Sequence, residues 1–314
     1  MSVPFATLLA SIMAISVSVA ASEHSPGSAE ENPQSEHVEG MLTIDGATLP
    51  YFIEGSGIPC VVVTHPIMMS RALSKDLRED IQFIFLSSRE NVPSEQLSEV
   101  ASATLDTYLD DIEALRQKLG YERICVFGHS QYGLLALAYA EKYPQHTYGV
   151  IMIGTPPPDG EVKKKMIAEF WEKHASDERK KLYENNQKSM SKHTGRFPHC
   201  SWCLESVLKG PAYWYDSSYD ASWLLEDVHS NPEVNLYDLL VSYRIPDGQQ
   251  IMTPVFVALG RYDFVVPPFL WDSKSGSFTN LSIHIFDKSG HWSMVEEQEL
   301  FNNALLIWLK SIER

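Results

Sequence analysis

Positive charge is in short supply: 25 Lys and Arg stand against 41 Asp and Glu, a formal net charge of -16. Nucleic-acid affinity rests on basic side chains that neutralise phosphates, so this balance argues against a nucleic-acid partner. It agrees with neutral or cationic small molecules, and equally with plain solubility. Cysteine is rare as well, with four in 314 residues, and no internal repeat is detected. Past the first 21 residues no apolar run approaches the length of a membrane span. Those first residues, MSVPFATLLASIMAISVSVAA, contain no charged side chain. The run from Phe5 to Val19 and the small residues Ser18-Val19-Ala20-Ala21 predict a secretory signal peptide over 1–21. The missing Lys or Arg leaves an uncleaved anchor as the alternative, although such a run is short for a hydrocarbon core of ~30 Å. Residues 22–37 are nearly devoid of apolar side chains and predict a flexible linker. The expected location is therefore secreted or periplasmic, with no stable membrane insertion after signal cleavage. Oligomeric state leaves no mark in the sequence.

What is present is a globular composition, 44% hydrophobic and 21% charged, long enough for one large α/β domain or two average ones. Asp45-Gly46 between short apolar runs predicts a tight hairpin. Six runs follow, IPCVVVTH, IQFIFLSS, RICVFGHS, YGVIMIGT, TPVFVALG and LSIHIFDK, each reading as a strand buried on both faces. Leu105, Tyr108, Leu109, Ile112, Leu115 and Leu119 predict an amphipathic helix stopped at Gly120. Phe301, Ala304, Leu305 and Trp308 predict another at the end of the chain. Strands alternating with helices imply a mostly parallel sheet covered on both faces. The alternation lapses between Pro156 and Ile251, where a charged helical run from Val162 to about Met190 leads a strandless insertion.

Cys60 and Cys125 sit in apolar strand-like runs and are expected as buried thiols. Cys200 and Cys203, in HCSWC, suit a local disulfide in an exported chain. Zinc held by His193, His199, Cys200 and Cys203 is the alternative, though the spacing matches no standard finger.

In GHSQYG, Ser130 ends a strand and opens a helix, the setting of a nucleophile elbow, although serine is also a common helix cap. Asp263, in ALGRYDFVVPP, and His291, in FDKSGHWSMVEE, each follow a strand-like run. Each of the three falls at the carboxyl end of a predicted strand, where parallel sheets gather reactive groups, and their order along the chain is serine, acid, histidine. Asp159 and Asp287 are the reserve acids. Oxyanion donors are expected from the backbone of Gln131 and of Ile67, since Pro66 has no N–H. His65 is read as a structural residue of its loop, and His129 as packing under the elbow.

On GHSQYGLLALAYAEKYP, IGTPP, ALGRYDFVVPP and SGHWSMVEE, the chain from about Val38 to its end resembles the α/β-hydrolase superfamily, in its capped, proline-iminopeptidase-like branch. The resemblance implies an α/β fold whose mostly parallel central sheet has helices on both faces and a helical cap inserted after the sixth strand. The core would be 38–156 and 251–314, with 157–250 as the cap. Ser130, Asp263 and His291 would be the catalytic triad, and no metal or organic cofactor is expected. Three features depart from the pattern. Tyr132 occupies the usual second glycine of the elbow, the loop at Pro66 lacks its glycine, and SSRENV replaces a frequent Asp-x-Arg-Gly turn. Tyr132, Trp214, Tyr215 and Trp223 are the candidate substrate-binding aromatics, with a packed cap core as the other reading. Glu205, Asp216 and Asp220 are candidates to hold an amino terminus. The expected function is an exported serine hydrolase of a small ester, amide or lactone. A proline-iminopeptidase-like aminopeptidase on short peptides and a non-catalytic ligand-binding protein are the alternatives. Haloalkane dehalogenase and epoxide hydrolase chemistry is disfavoured, because both use Asp where this chain has Ser130.

Overall fold

The computed structural model describes residues 38–93, 103–159, 163–193, 195–200, 202–231, 236–272 and 275–312. The signal and linker expectations fall on 1–37 and lie outside the described residues. Among the described residues no helix is long and apolar enough to cross a membrane.

β1 (Val38–Ile44) and β2 (Ala47–Glu54) pair antiparallel around Asp45-Gly46. Both turn residues take positive φ, 46° and 75°, as a two-residue primed turn matched to strand twist requires. β3 (Ile58–Val62), β4 (Ile81–Leu86), β5 (Ile124–His129), β6 (Thr147–Ile153), β7 (Val255–Gly260) and β8 (Leu281–Phe286) continue the sheet. Its order is β1-β2-β4-β3-β5-β6-β7-β8, parallel throughout from β4 to β8. The side-chain period of two divides each buried strand between two layers. Val61, Ile84, Val126, Val150 and Val257 face one layer, while Val62, Phe83, Phe127, Ile151 and Phe256 face the other. α2 (Leu105–Leu119) and α3 (Tyr132–Lys142) cover the first with Ile112, Leu115, Leu135 and Tyr139. α1 (Pro66–Ala72) and α10 (Gln298–Ile312) cover the second with Met69, Phe301, Leu305 and Trp308. Each large side chain so buried is worth roughly 1.5–3 kcal/mol of transfer free energy. Gly120 stops α2 at φ 74°, where its N–H caps Arg116 and Gln117 carbonyls without the penalty a Cβ would bring.

One expectation needs correction. β8 is not buried on both faces: it is the last strand of the order, and Ile283 and Ile285 are exposed. The charged run after Val162 is helical and divides into α4 (Lys164–His174) and α5 (Asp177–Ser189). Ala175 turns extended, and Ser176 begins the second helix by accepting the Arg179 N–H at 3.2 Å.

The rest of the insertion adds α6 (Cys203–Leu208), α7 (Gly210–Tyr213), α8 (Ser222–Leu225) and α9 (Leu236–Val241), with no strand among its described residues. Cys200 and Cys203 form a disulfide, which removes the thiolates a zinc site would need. Cys60 and Cys125 are buried thiols on paired strands, and burial pushes Cys60 far above its usual range.

Candidate active site

β5 ends on His129, and α3 begins at Tyr132, so Ser130 and Gln131 must turn the chain within two residues. Ser130 pays for this with φ 56°, a left-handed conformation costing on the order of 1–3 kcal/mol in a non-glycine residue. Its N–H donates to Ile153 O at 2.7 Å and its carbonyl accepts from Gly133 at 3.1 Å, which holds the turn shut. A Cβ on Gly128 would stand 2.2 Å from the Tyr132 carbonyl oxygen, so only glycine lets the strand pass under the helix. The second close approach is displaced by one residue. A Cβ at Gly133 would lie 2.1 Å from Thr155 Oγ1, so the helix packs through Gly133, and the preceding position is open to Tyr132.

Asp263 follows β7 and is fully buried. Its Oδ1 accepts the N–H groups of Val265 and Val266 at 2.8 and 2.7 Å, and its Oδ2 lies 2.7 Å from His291 Nδ1. The carboxylate thereby spends one oxygen on fixing its own loop and the other on fixing the imidazole. His291 follows β8, is 2% exposed, and donates its backbone N–H to Tyr213 O at 2.6 Å. His129 Nε2 lies 3.0 Å from the His291 carbonyl, and its ring packs on Trp292 at 4.0 Å. Burial holds His129 well below the usual histidine range, so it is a neutral prop. Of the reserve acids, Asp159 sits in an isolated backbone β-bridge with Arg244 and its carboxylate pairs with Lys163 at 3.5 Å, and Asp287 is bound to Arg261 at 2.6 Å. Neither serves the imidazole.

Ser130 and His291 line one cavity of about 700 Å³, a size suited to a small organic molecule. No hydrogen bond joins Ser130 Oγ to His291 among the described residues. Its lining comes from both parts of the chain: Trp202, Val207, Trp214 and Leu224 of the insertion, and Thr64, Met68 and Trp292 of the core. Gln131, Tyr132 and Trp214 are in the wall. Tyr215 and Trp223 are not: the Tyr215 ring meets Tyr262 at 4.8 Å, and Trp223 Nε1 donates to the Tyr219 hydroxyl at 3.0 Å. Ile67 is the second residue of α1, with its side chain exposed and outside the wall, between His65 and Met68, which belong to it. Gln131 N–H has no acceptor among the described residues.

The acids considered for an amino terminus are occupied. Glu205 lines the cavity but pairs with Lys209 at 2.5 Å, while Asp216 and Asp220 hold the backbone and hydroxyl groups of Ser218 and Ser222.

Three participants left almost no signal in the sequence. Glu90, in the SSRENV stretch, lines the cavity beside His65, whose Nε2 is 3.2 Å from the Tyr132 hydroxyl. Burial lowers His65 to about 4 and raises Glu90 to about 8, so both are neutral near pH 7. Arg179 of α5 donates to the carbonyls of Pro211, Trp214 and Tyr215 at 2.6, 2.7 and 2.5 Å, fixing the segment that accepts the His291 N–H. Glu296 accepts Tyr215 N–H at 2.6 Å and Gly290 N–H at 2.7 Å, tying that segment to the histidine loop. Burial raises its carboxyl to about 7 against the pull of those two donors.

The family model for the alpha/beta hydrolase fold matches residues 69–298. The AB hydrolase superfamily protein YclE of Bacillus subtilis is 30% identical over 280 residues, covering 86% of this chain and 98% of that protein. The proline iminopeptidase of Heyndrickxia coagulans is 21% identical over 297 residues, covering 88% of this chain and all of that one. Among solved structures, a thermophilic esterase from Thermogutta terrifontis superposes with a TM-score of 0.63 at 19% identity, over 89% of this chain and 100% of its own. Sequence, sheet order and elbow thus agree, and this chain is a hydrolase of the α/β-hydrolase fold family.

Proposed function

We propose that the protein is an exported serine hydrolase that cleaves a small ester, amide or lactone through an acyl-enzyme. The observation that carries this reading is the 2.7 Å contact between Asp263 and His291 at a cavity that also holds Ser130 on a strained turn. Ser130 Oγ attacks the substrate carbonyl carbon while His291 Nε2 takes its proton. The carbonyl oxygen becomes an oxyanion, with the N–H groups of Gln131 and Ile67 as its donors. Collapse expels the alcohol or amine, which receives the proton from His291, and leaves an ester on Ser130. Water then attacks, giving its proton to His291, and the acid departs as the proton returns to Ser130. Asp263 holds the Nδ1–H tautomer and favours the transient imidazolium. None of these steps calls for a metal or an organic cofactor. The charge-free residues 1–21 support export.

The test is labelling with a fluorophosphonate probe beside a Ser130→Ala variant, followed by comparison of short acyl esters with prolyl amides. Labelling confined to Ser130 and preferred ester turnover are expected. An unlabelled intact protein would move the reading to ligand binding, and turnover of prolyl amides alone would move it to an aminopeptidase.

A further inference from the structure

We infer that the Glu90 end of the cavity is a subsite for a protonated amine carried by the substrate; this rests on the hydrolase reading of Ser130 and names the substrate class for it. Glu90 lines the same cavity as Ser130, its side chain is 13% exposed, and its Oε1 has no hydrogen-bond partner. Each neighbouring cationic group is committed elsewhere. Arg89, next in the chain, forks onto Asp111 through two bonds of 2.8 Å, and that pair is buried on the α2 side. Lys209 lines the cavity but is paired with Glu205. His65 Nε2 stands 3.9 Å from Glu90 Oε1, too far for a hydrogen bond, and is engaged by the Tyr132 phenol. Tyr108 of α2 is buried close by, and burial pushes its phenol well above the usual range, so it carries no charge. The loop itself is clamped, because Asn231 of the insertion donates its N–H to the Glu90 carbonyl at 2.6 Å. This wall is fixed in place around a carboxyl that nothing in the chain neutralises.

An unpaired carboxylate out of water is costly, and the empty site avoids the cost by keeping Glu90 protonated up to about pH 8. An alkylammonium group brings the missing counter-charge. On binding, the acid gives its proton to water, and the carboxylate accepts hydrogen bonds from the ammonium, so one proton leaves for each amine bound below pH 8. A carboxylate at the same place would be repelled, and a neutral alkyl group would leave the polar atoms unsatisfied. Trp214, Leu224 and Trp292 line other parts of the wall and suit the hydrocarbon portion. The substrate is thus an ester or amide with an ammonium group on a carbon chain.

The experiment compares p-nitrophenyl 6-aminohexanoate with p-nitrophenyl hexanoate, and n-butylammonium with n-butanol as protectants of Ser130 against a fluorophosphonate probe. In the intact enzyme, kcat/KM should favour the amino ester by at least about tenfold, the size of a charge-assisted contact. Its KM should fall as pH rises from 6 to 9. Butylammonium should protect where butanol does not. In Glu90→Gln the preference and its pH dependence should both collapse. Labelled Ser130 with no preference for the amine in the intact enzyme overturns the subsite and leaves the hydrolase reading standing. Absence of labelling overturns the hydrolase reading itself. If Glu90→Gln does not fold, the pH dependence of KM and the protection by butylammonium in the unmodified protein still decide the matter.

Discussion

Asp263→Asn tests the relay more sharply than a truncation, because the surroundings dictate which way the amide faces. Asp263 Oδ1 receives two backbone N–H groups, so the Asn carbonyl must occupy that place. Turning it around would set the NH₂ against two donors and forfeit both hydrogen bonds, about 2 kcal/mol or more. The NH₂ therefore points at His291 Nδ1, where Oδ2 now lies 2.7 Å away, and forces that nitrogen to accept. The proton then resides on Nε2, and the imidazole cannot take a proton from Ser130. A fall in kcat of ~10⁴ follows, equivalent to about 5 kcal/mol of transition-state stabilisation. Stability should change far less. The variant loses charge-assisted hydrogen bonds worth roughly 1.5–3 kcal/mol each, but is spared the several kcal/mol of burying a carboxylate. Steady-state hydrolysis of p-nitrophenyl butyrate, fluorophosphonate labelling rate and thermal melting, measured side by side, separate the two effects. Hydrolysis within tenfold of the unmodified protein in a folded Asn variant would refute the reasoning.

Other outcomes follow from the same contacts. Glu90→Gln should raise the melting temperature more at pH 8 than at pH 5. The folded carboxyl titrates near 8 and the unfolded one near 4.5, so folded stability declines as pH rises through that window. At about 1.4 kcal/mol per pH unit the upper bound is ~4 kcal/mol, and an equal gain at both pH values would contradict the shift. Arg179→Lys should lower kcat at least several-fold with little change in KM, since one ammonium cannot serve three carbonyls that fix the segment behind His291; stopped-flow acylation would read this. Replacing Cys200 and Cys203 together by serine should cost no more than about 2 kcal/mol in chemical denaturation, because the bond closes a loop only three residues apart in sequence.

Much of the fold is legible in the chain because its signals are local. Val-, Ile- and Phe-rich runs mark β3 to β7, Asp45-Gly46 marks the hairpin, and Gly120 marks a helix end. The run at β8 reads the same way, yet its edge position depends on strand order, which no local pattern encodes. Ser130, Asp263 and His291 stand out because each follows a strand, and their order is informative in itself. Glu90 does not stand out: it joins the cavity wall on a loop whose backbone is held by Asn231, far along the chain, and no local pattern announces that contact. Arg179 lies in a helix so rich in charge that nothing distinguishes it, and only tertiary contact with Pro211, Trp214 and Tyr215 gives it a task. Tyr215 and Trp223 fail as wall residues for a related reason, since an aromatic stretch does not reveal which rings turn inward.

The proposed acyl-enzyme requires Ser130 Oγ to carry the acyl group. Mixing the enzyme with p-nitrophenyl butyrate, quenching in acid within the first turnover and mapping the peptides by mass spectrometry tests this directly. The butyryl group is predicted on Ser130, with none formed in Ser130→Ala. Hydrolysis at an undiminished rate by the alanine variant, or an acyl group carried on another residue, would contradict it.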